Sequence, residues 1–144
     1  MEYTDVTRGK PQIRERMKQI INFDGMKYGE NKTITPMDID LFFEERGNTF
    51  VFAELKYGSA IQKFGGGQKL ALERLADALF DAGRQSVVFL CRHNVKNRHA
   101  DVMARTAHVE KVYYNHKWHD WNGGNLNESI ESFVTYANKE RSIT

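Results

Sequence analysis

Cysteine is almost absent from this chain: Cys91 stands alone among 144 residues, so no disulfide can form within it. The fold must therefore rest on packing, and the usage is the one expected of a reducing, cytoplasmic setting. Proline occurs only at positions 11 and 36, and no Pro/Gly-rich linker, repeat or low-complexity tract divides the sequence. A single domain over residues 1–144 is the expectation, since a chain of this length can bury a core of its own. No apolar run approaches the roughly 18 residues that a membrane-spanning helix needs, so no membrane partner is expected. The opening residues, MEYTDVTRGK, are polar and lack the apolar stretch of a secretion signal. Charge of one sign is also missing: the net charge is +2, too small by itself to argue for nucleic acid.

What is present is distributed unevenly. Hydrophobic residues at 40% and charged residues at 28% suit a soluble globular protein. Between Arg84 and Lys111, however, six basic residues face only Asp101 and Glu110, with His93, His99 and His108 among them. Such a segment can neutralise phosphates although the whole chain is nearly neutral. It can equally be a solvated loop.

Periodicity orders the elements. Residues 11–22 predict a helix, with Pro11 in its first turn and Ile13, Met17, Ile20 and Ile21 on one stripe. Asp38–Glu44 alternates as a strand, Asp38, Asp40, Phe42 and Glu44 on one face. Arg46-Gly47-Asn48 reads as a turn, and Phe50–Tyr57 as a second strand with Phe50, Phe52, Glu54 and Lys56 together. The short connection predicts an antiparallel hairpin. Gly65-Gly66-Gly67 precedes a helix over Gln68–Ala82, with Gln68, Leu72, Leu75 and Leu79 on its inner stripe and Ala71, Ala78 and Ala82 flanking it. Gly83 ends that helix. Ser86–Cys91 is apolar enough for a central strand buried on both faces. A short helix is expected within residues 101–107, a strand at Val109–Tyr114 and a final helix over Asn125–Asn138, where Asn125 and Glu128 can cap one another. Leu126, Ile130, Phe133, Val134 and Ala137 form its inner face. Helices interleaved with strands imply an α/β fold, a mixed central β-sheet flanked by helices.

Two carboxylates interrupt the apolar strands. Burying an ionised group costs several kcal/mol unless it is paired or bound to metal. Asp40 sits among Ile39, Leu41, Phe42 and Phe43, and Glu54 among Phe52, Ala53 and Leu55. Alternation aims Glu54 and Lys56 the same way. If pairing brings Asp40 to that side, two hard oxygen donors and an amine converge, a set suited to Mg²⁺. A divalent ion can activate water and offset charge at a phosphoryl centre, while the lysine orients that water or stabilises developing charge. Those are the parts that phosphodiester hydrolysis requires.

Across Pro36-Met37-Asp38-Ile39-Asp40 and Glu54-Leu55-Lys56 the sequence resembles the PD-(D/E)XK nuclease superfamily. The likeness spans residues 35–91, where a helix and a further strand follow the hairpin, as in the restriction-endonuclease-like core with its α-β-β-α-β order. It implies a Mg²⁺- or Mn²⁺-dependent endonuclease acting on DNA, structure-selective or weakly sequence-selective, in the manner of small junction-resolving or phage-type members. It implies metal ligation by Asp40 and Glu54, with the carbonyl of Leu55 as a further ligand, and a catalytic part for Lys56. Met37 separates the proline from the first aspartate, so Asp38 is an alternative first ligand; the depth of Asp40 in the apolar run favours Asp40. Gln68 matches the glutamine that exonuclease branches place on this helix, although Leu72 stands where those branches have tyrosine. Gln68 could also simply cap the helix. Glu15 would be the acidic residue some members carry on their first helix, but it lies off the apolar stripe.

Lys69, Arg92, Lys96 and Arg98 are the expected nucleic-acid contacts, and a homodimer or partner protein would complete so small a nuclease. A phage or mobile element would suit such a compact chain. The competing expectations are a nucleic-acid-binding module without turnover and a protein inhibitor built on the same scaffold. Cys91, His93, His99, His116 and His119 lack the spacing of a structural zinc site. The glycines before Gln68 lack the Walker pattern, and no G-x-S-x-G motif is present. Trp118 and Trp121 could stack on a base, but packing under the last helix is the preferred reading.

Overall fold

A computed structural model describes residues 21–58 and 64–143. The chain divides into two compact units, Met1–Met37 and Asp38–Thr144. In the first, Tyr28 and Ile34 exchange backbone hydrogen bonds of 2.7 and 2.9 Å around a turn in which Gly29 and Lys32 adopt positive φ. The helix expected over residues 11–22 lies outside the described residues, apart from Ile21 and Asn22, which carry no regular structure.

The second unit holds a five-stranded mixed sheet in sequential order: β1 (Leu41–Glu45), β2 (Thr49–Tyr57), β3 (Gln85–His93), β4 (His108–Tyr114) and β5 (Lys117–Asp120). Helix α1 (Gly66–Asp81) connects β2 to β3, and α2 (Leu126–Ile143) follows the sheet. Strands β2 and β3 run parallel, and the other neighbours pair antiparallel. This is the α/β architecture that the alternation of elements predicts. Among the described residues no helix is long and apolar enough to cross a membrane.

The core follows strand periodicity. Val51 and Ala53 of β2, Val87, Phe89 and Cys91 of β3, and Val109 and Val112 of β4 form one buried cluster with Leu126, Phe133 and Ala137 of α2. Successive strand side chains alternate between faces. Phe52, Glu54, Val88 and Leu90 are therefore aimed at the opposite face. All four are buried, and α1 packs against that side, with Leu72 and Ala76 buried beneath it. The final helix begins as expected: the Asn125 N–H donates to Glu128 Oε1 and the Glu128 N–H to Asn125 Oδ1, each at 2.9 Å. Two orphan donors are satisfied reciprocally. At the end of α1, Gly83 at φ 87° lets its own N–H reach the Phe80 carbonyl and the Arg84 N–H reach Leu79, the αL closure that glycine adopts without strain.

Three local expectations change. The inner stripe of α1 is rotated: Leu75 is 40% exposed and Ala71 and Ala78 are exposed, while Ala76 is buried. Polar anchors explain the rotation. Ser86 Oγ donates to the Ala76 carbonyl at 2.7 Å, Tyr113 Oη to Asp77 at 2.9 Å, and the Trp118 indole to Glu73. These bonds turn residues 73, 76 and 77 toward the sheet. The short helix expected within residues 101–107 is one 3-10 turn at Ala104–Thr106. Strand β5 lies where no strand was expected. Asn115 and His116 both hold positive φ, 53° and 67°, the two-residue geometry whose twist matches a hairpin. Asn-His is a poor sequence cue for that turn.

Candidate active site

The hairpin β1–β2 pairs Phe42 with Phe52 and Leu41 with Ala53. Extending that register by one residue on each strand faces the backbone of Asp40 toward Glu54. The ladder stops there because the Leu55 N–H donates to Asp40 Oδ2 at 2.8 Å. A side-chain carboxylate has taken the place of a backbone acceptor, so β1 begins at Leu41 and not at Asp38. The Asp40 N–H in turn donates to Glu54 Oε1 at 3.3 Å. Asp40 and Glu54 thus meet on one side of the sheet, Asp40 exposed and Glu54 only 1% exposed.

Gln68, in the first turn of α1, ties the cluster together. Its Nε2 donates to Glu54 Oε2 at 3.0 Å and to the Asp38 carbonyl at 3.4 Å, and its Oε1 accepts from Lys56 Nζ at 3.2 Å. Lys56 Nζ lies 3.9 Å from Glu54 Oε2, and the lysine side chain remains 24% exposed. The site therefore sits where the chain leaves the carboxyl end of β2, beside its parallel neighbour β3, a usual place for ligands in open α/β sheets.

Electrostatics mark Glu54. Burial pushes its carboxyl pKa up, and the charge of Asp40 pushes it further, to about 7. The Asp40 N–H and, more weakly, Lys56 oppose the rise. Once Glu54 ionises, two carboxylates against one ammonium leave a net negative charge, with only Glu54 shielded from solvent. The donor set fits a hard divalent cation in charge and in atom type. Among the described residues no group of three or more His, Cys, Asp or Glu side chains is placed to hold a metal ion. An ion held by Asp40 and Glu54 would complete its shell from water and substrate, as Mg²⁺ commonly does.

The remaining expected site residues fall at different places. Asp38 enters through its backbone carbonyl, not its carboxylate. Leu55 enters through its N–H on Asp40. Lys69 is engaged by Glu73 at 2.8 Å and lies 5.7 Å from the centre of the Trp118 ring. Arg92 pairs in register with Lys56 across the β2–β3 seam, and its Nε lies 3.1 Å from Glu110 Oε2. Lys96 and Arg98 are exposed on the segment after β3. Glu15 lies outside the described residues.

The tryptophans divide. Trp121 Nε1 donates to Ser129 of α2 at 2.7 Å, so Trp121 does pack under the last helix. Trp118 does not. It sits against Phe64 and Tyr113 and hydrogen-bonds Glu73 of α1, because β5 presents it on the other face. His116 bridges Asp77 at 3.1 Å and Asp81 at 2.6 Å, fastening the β4–β5 turn to α1. Sequence reading did not pick out this clamp, since the residues involved are more than 30 positions apart.

No protein-family model matches the chain, nor does any curated protein or solved structure.

Proposed function

We propose that the chain is a metal-dependent nuclease of the PD-(D/E)XK type, hydrolysing phosphodiester bonds of DNA at Asp40, Glu54 and Lys56. One observation supports this above the others: the carboxylate of Asp40, just before β1, and that of Glu54 in β2 meet beside the Lys56 ammonium, in the order the resemblance expects. Asp40 and Glu54 would hold Mg²⁺ or Mn²⁺. Bound there, the ion would supply positive charge for the phosphoryl oxygens and lower the pKa of the attacking water.

The chain's own residues supply the rest. Lys56 directs an ammonium toward the same point, where it orients the water or balances charge that develops on the phosphate. Gln68 fixes the amine and Glu54 relative to each other through one amide, so neither has to be ordered during the reaction. Arg92, next to Lys56 in register, and the exposed Lys96 and Arg98 provide phosphate contacts that position the strand without reading sequence. Action would be structure-selective or weakly sequence-selective, and endonucleolytic in preference to exonucleolytic. A homodimer or a partner protein would extend the DNA contact, and a cytoplasmic location suits the unpaired Cys91.

The test is a cleavage panel of plasmid, single-stranded and branched DNA, with and without Mg²⁺, comparing wild type with Lys56→Ala. The expected result is Mg²⁺-dependent cleavage that falls by roughly 10²–10³ in the variant, the loss typical of removing one such charge-stabilising group. Binding of DNA with no cleavage of any substrate would mark a module without turnover. Neither binding nor cleavage would favour the protein-inhibitor reading.

A further inference from the structure

Beside the carboxylate pair, on the same face of the β1–β2 hairpin, lies a run of aromatic rings. Phe42 is two residues from Asp40 along the chain, and its register partner Phe52 is two residues before Glu54. The Phe42 ring stacks on Phe52 at a centroid distance of 5.0 Å and an interplanar angle of 30°. It also lies near-parallel to Phe50, at 6.5 Å and 27°. Phe52 is buried and Phe50 half-buried, whereas Phe42 is 50% exposed. A solitary exposed apolar residue needs no explanation. This one differs because packed rings hold its orientation from beneath and because it directly adjoins the candidate site.

We propose that Phe42 is a stacking platform for one unpaired base of the DNA strand whose phosphodiester lies at Asp40 and Glu54. The inference rests on the nuclease reading and narrows it to a substrate class. A base inside a duplex already has both faces covered by its neighbours, so it cannot lie on a protein ring. A base in a single strand, a frayed end or a loop can, and every base has a π-face to offer. The platform therefore selects unpaired DNA without selecting sequence. The basic residues near the site contribute phosphate attraction to single and double strands alike. Discrimination between the two then comes from the ring.

Equilibrium binding measures this separately from cleavage. Fluorescence anisotropy of a labelled single-stranded oligonucleotide and of its duplex is recorded with Ca²⁺ in place of Mg²⁺, for wild type, Phe42→Ala and Phe42→Trp. Thermal melting of each variant confirms that it folds. Phe42→Ala is expected to weaken single-strand binding at least about fivefold, as loss of a stacking ring does, and to leave duplex binding within about twofold. Phe42→Trp, which keeps a ring, is expected to retain the single-strand preference. Unchanged single-strand affinity in Phe42→Ala, or equal losses on both substrates, would overturn the platform while metal-dependent cleavage by wild type kept the nuclease reading intact. Conversely, a ring-dependent single-strand preference in a protein that cleaves nothing would leave the platform standing and remove the nuclease.

Discussion

Replacing Glu54 with glutamine should stabilise the protein at alkaline pH, although it deletes a residue of the candidate site. Glu54 is 1% exposed, and burial with the neighbouring Asp40 charge raises its pKa from 4.5 to about 7. In the unfolded chain the carboxyl loses its proton near 4.5; in the folded chain it keeps the proton until about 7. Between those values the folded state binds more protons, so stability must fall as pH rises. A shift of this size, at roughly 1.4 kcal/mol per unit, corresponds to about 3 kcal/mol lost by pH 8. For a chain of this length that is roughly 10 °C in Tm.

The substituted amide would be neutral throughout, would keep an oxygen for the Asp40 or Gln68 donor, and could itself donate to the Asp40 carboxylate. Melting curves by circular dichroism from pH 4 to pH 8, without divalent ions, should therefore show the wild type losing Tm across the window while Glu54→Gln stays level. Millimolar Mg²⁺ should restore wild-type Tm at pH 8, because a ligand that binds only the folded state stabilises it, and should do far less for the variant. Parallel pH profiles for the two proteins would refute the reasoning. They would mean that Glu54 is neither as poorly solvated nor as close to Asp40 in solution as its hydrogen bonds require.

Two further predictions concern stability and reactivity. Asn125→Ala should cost about 1 kcal/mol in urea unfolding, the usual value of an N-terminal cap, and a Glu128→Ala change in the same background should add less than it costs alone. Cys91 is fully buried, and burial with the nearby Glu110 and Asp40 charges pushes its thiol up to about 12. A chromogenic disulfide reagent at pH 8 should find no reactive thiol in the folded protein and one per chain after denaturation; rapid labelling of the native protein would refute this.

Much of the site could be read from the chain because strand alternation is a rigid rule. Glu54 and Lys56 had to share a face once residues 50–57 formed a strand, and a carboxylate among Phe52, Ala53 and Leu55 had to find compensation. The Asn125–Glu128 cap followed from a three-residue interval. All of these are local relations, set by backbone geometry before any tertiary contact forms.

Other features depended on where distant segments met. The sequence favoured Asp40 over Asp38 only by its depth in the apolar run; hairpin register set how each meets the cluster, the Asp40 carboxylate on the Leu55 N–H and Asp38 through its carbonyl on Gln68. Apolar spacing does not give the inner face of α1, because Ser86, Tyr113 and Trp118, all from other elements, hydrogen-bond to residues one or two positions away from the apolar stripe. Strand β5 and the His116 clamp escaped for the same reason, since Asn-His does not advertise a turn that pairing on either side enforces. Sequence determined strands β1 to β4, helices α1 and α2, the cap of α2 and the shared face of Glu54 and Lys56, because those follow from spacing along the chain. Tertiary structure alone decided how Asp40 and Asp38 meet the cluster, how α1 is rotated and which ring stands exposed beside the carboxylates, because each depends on partners that spacing does not reveal.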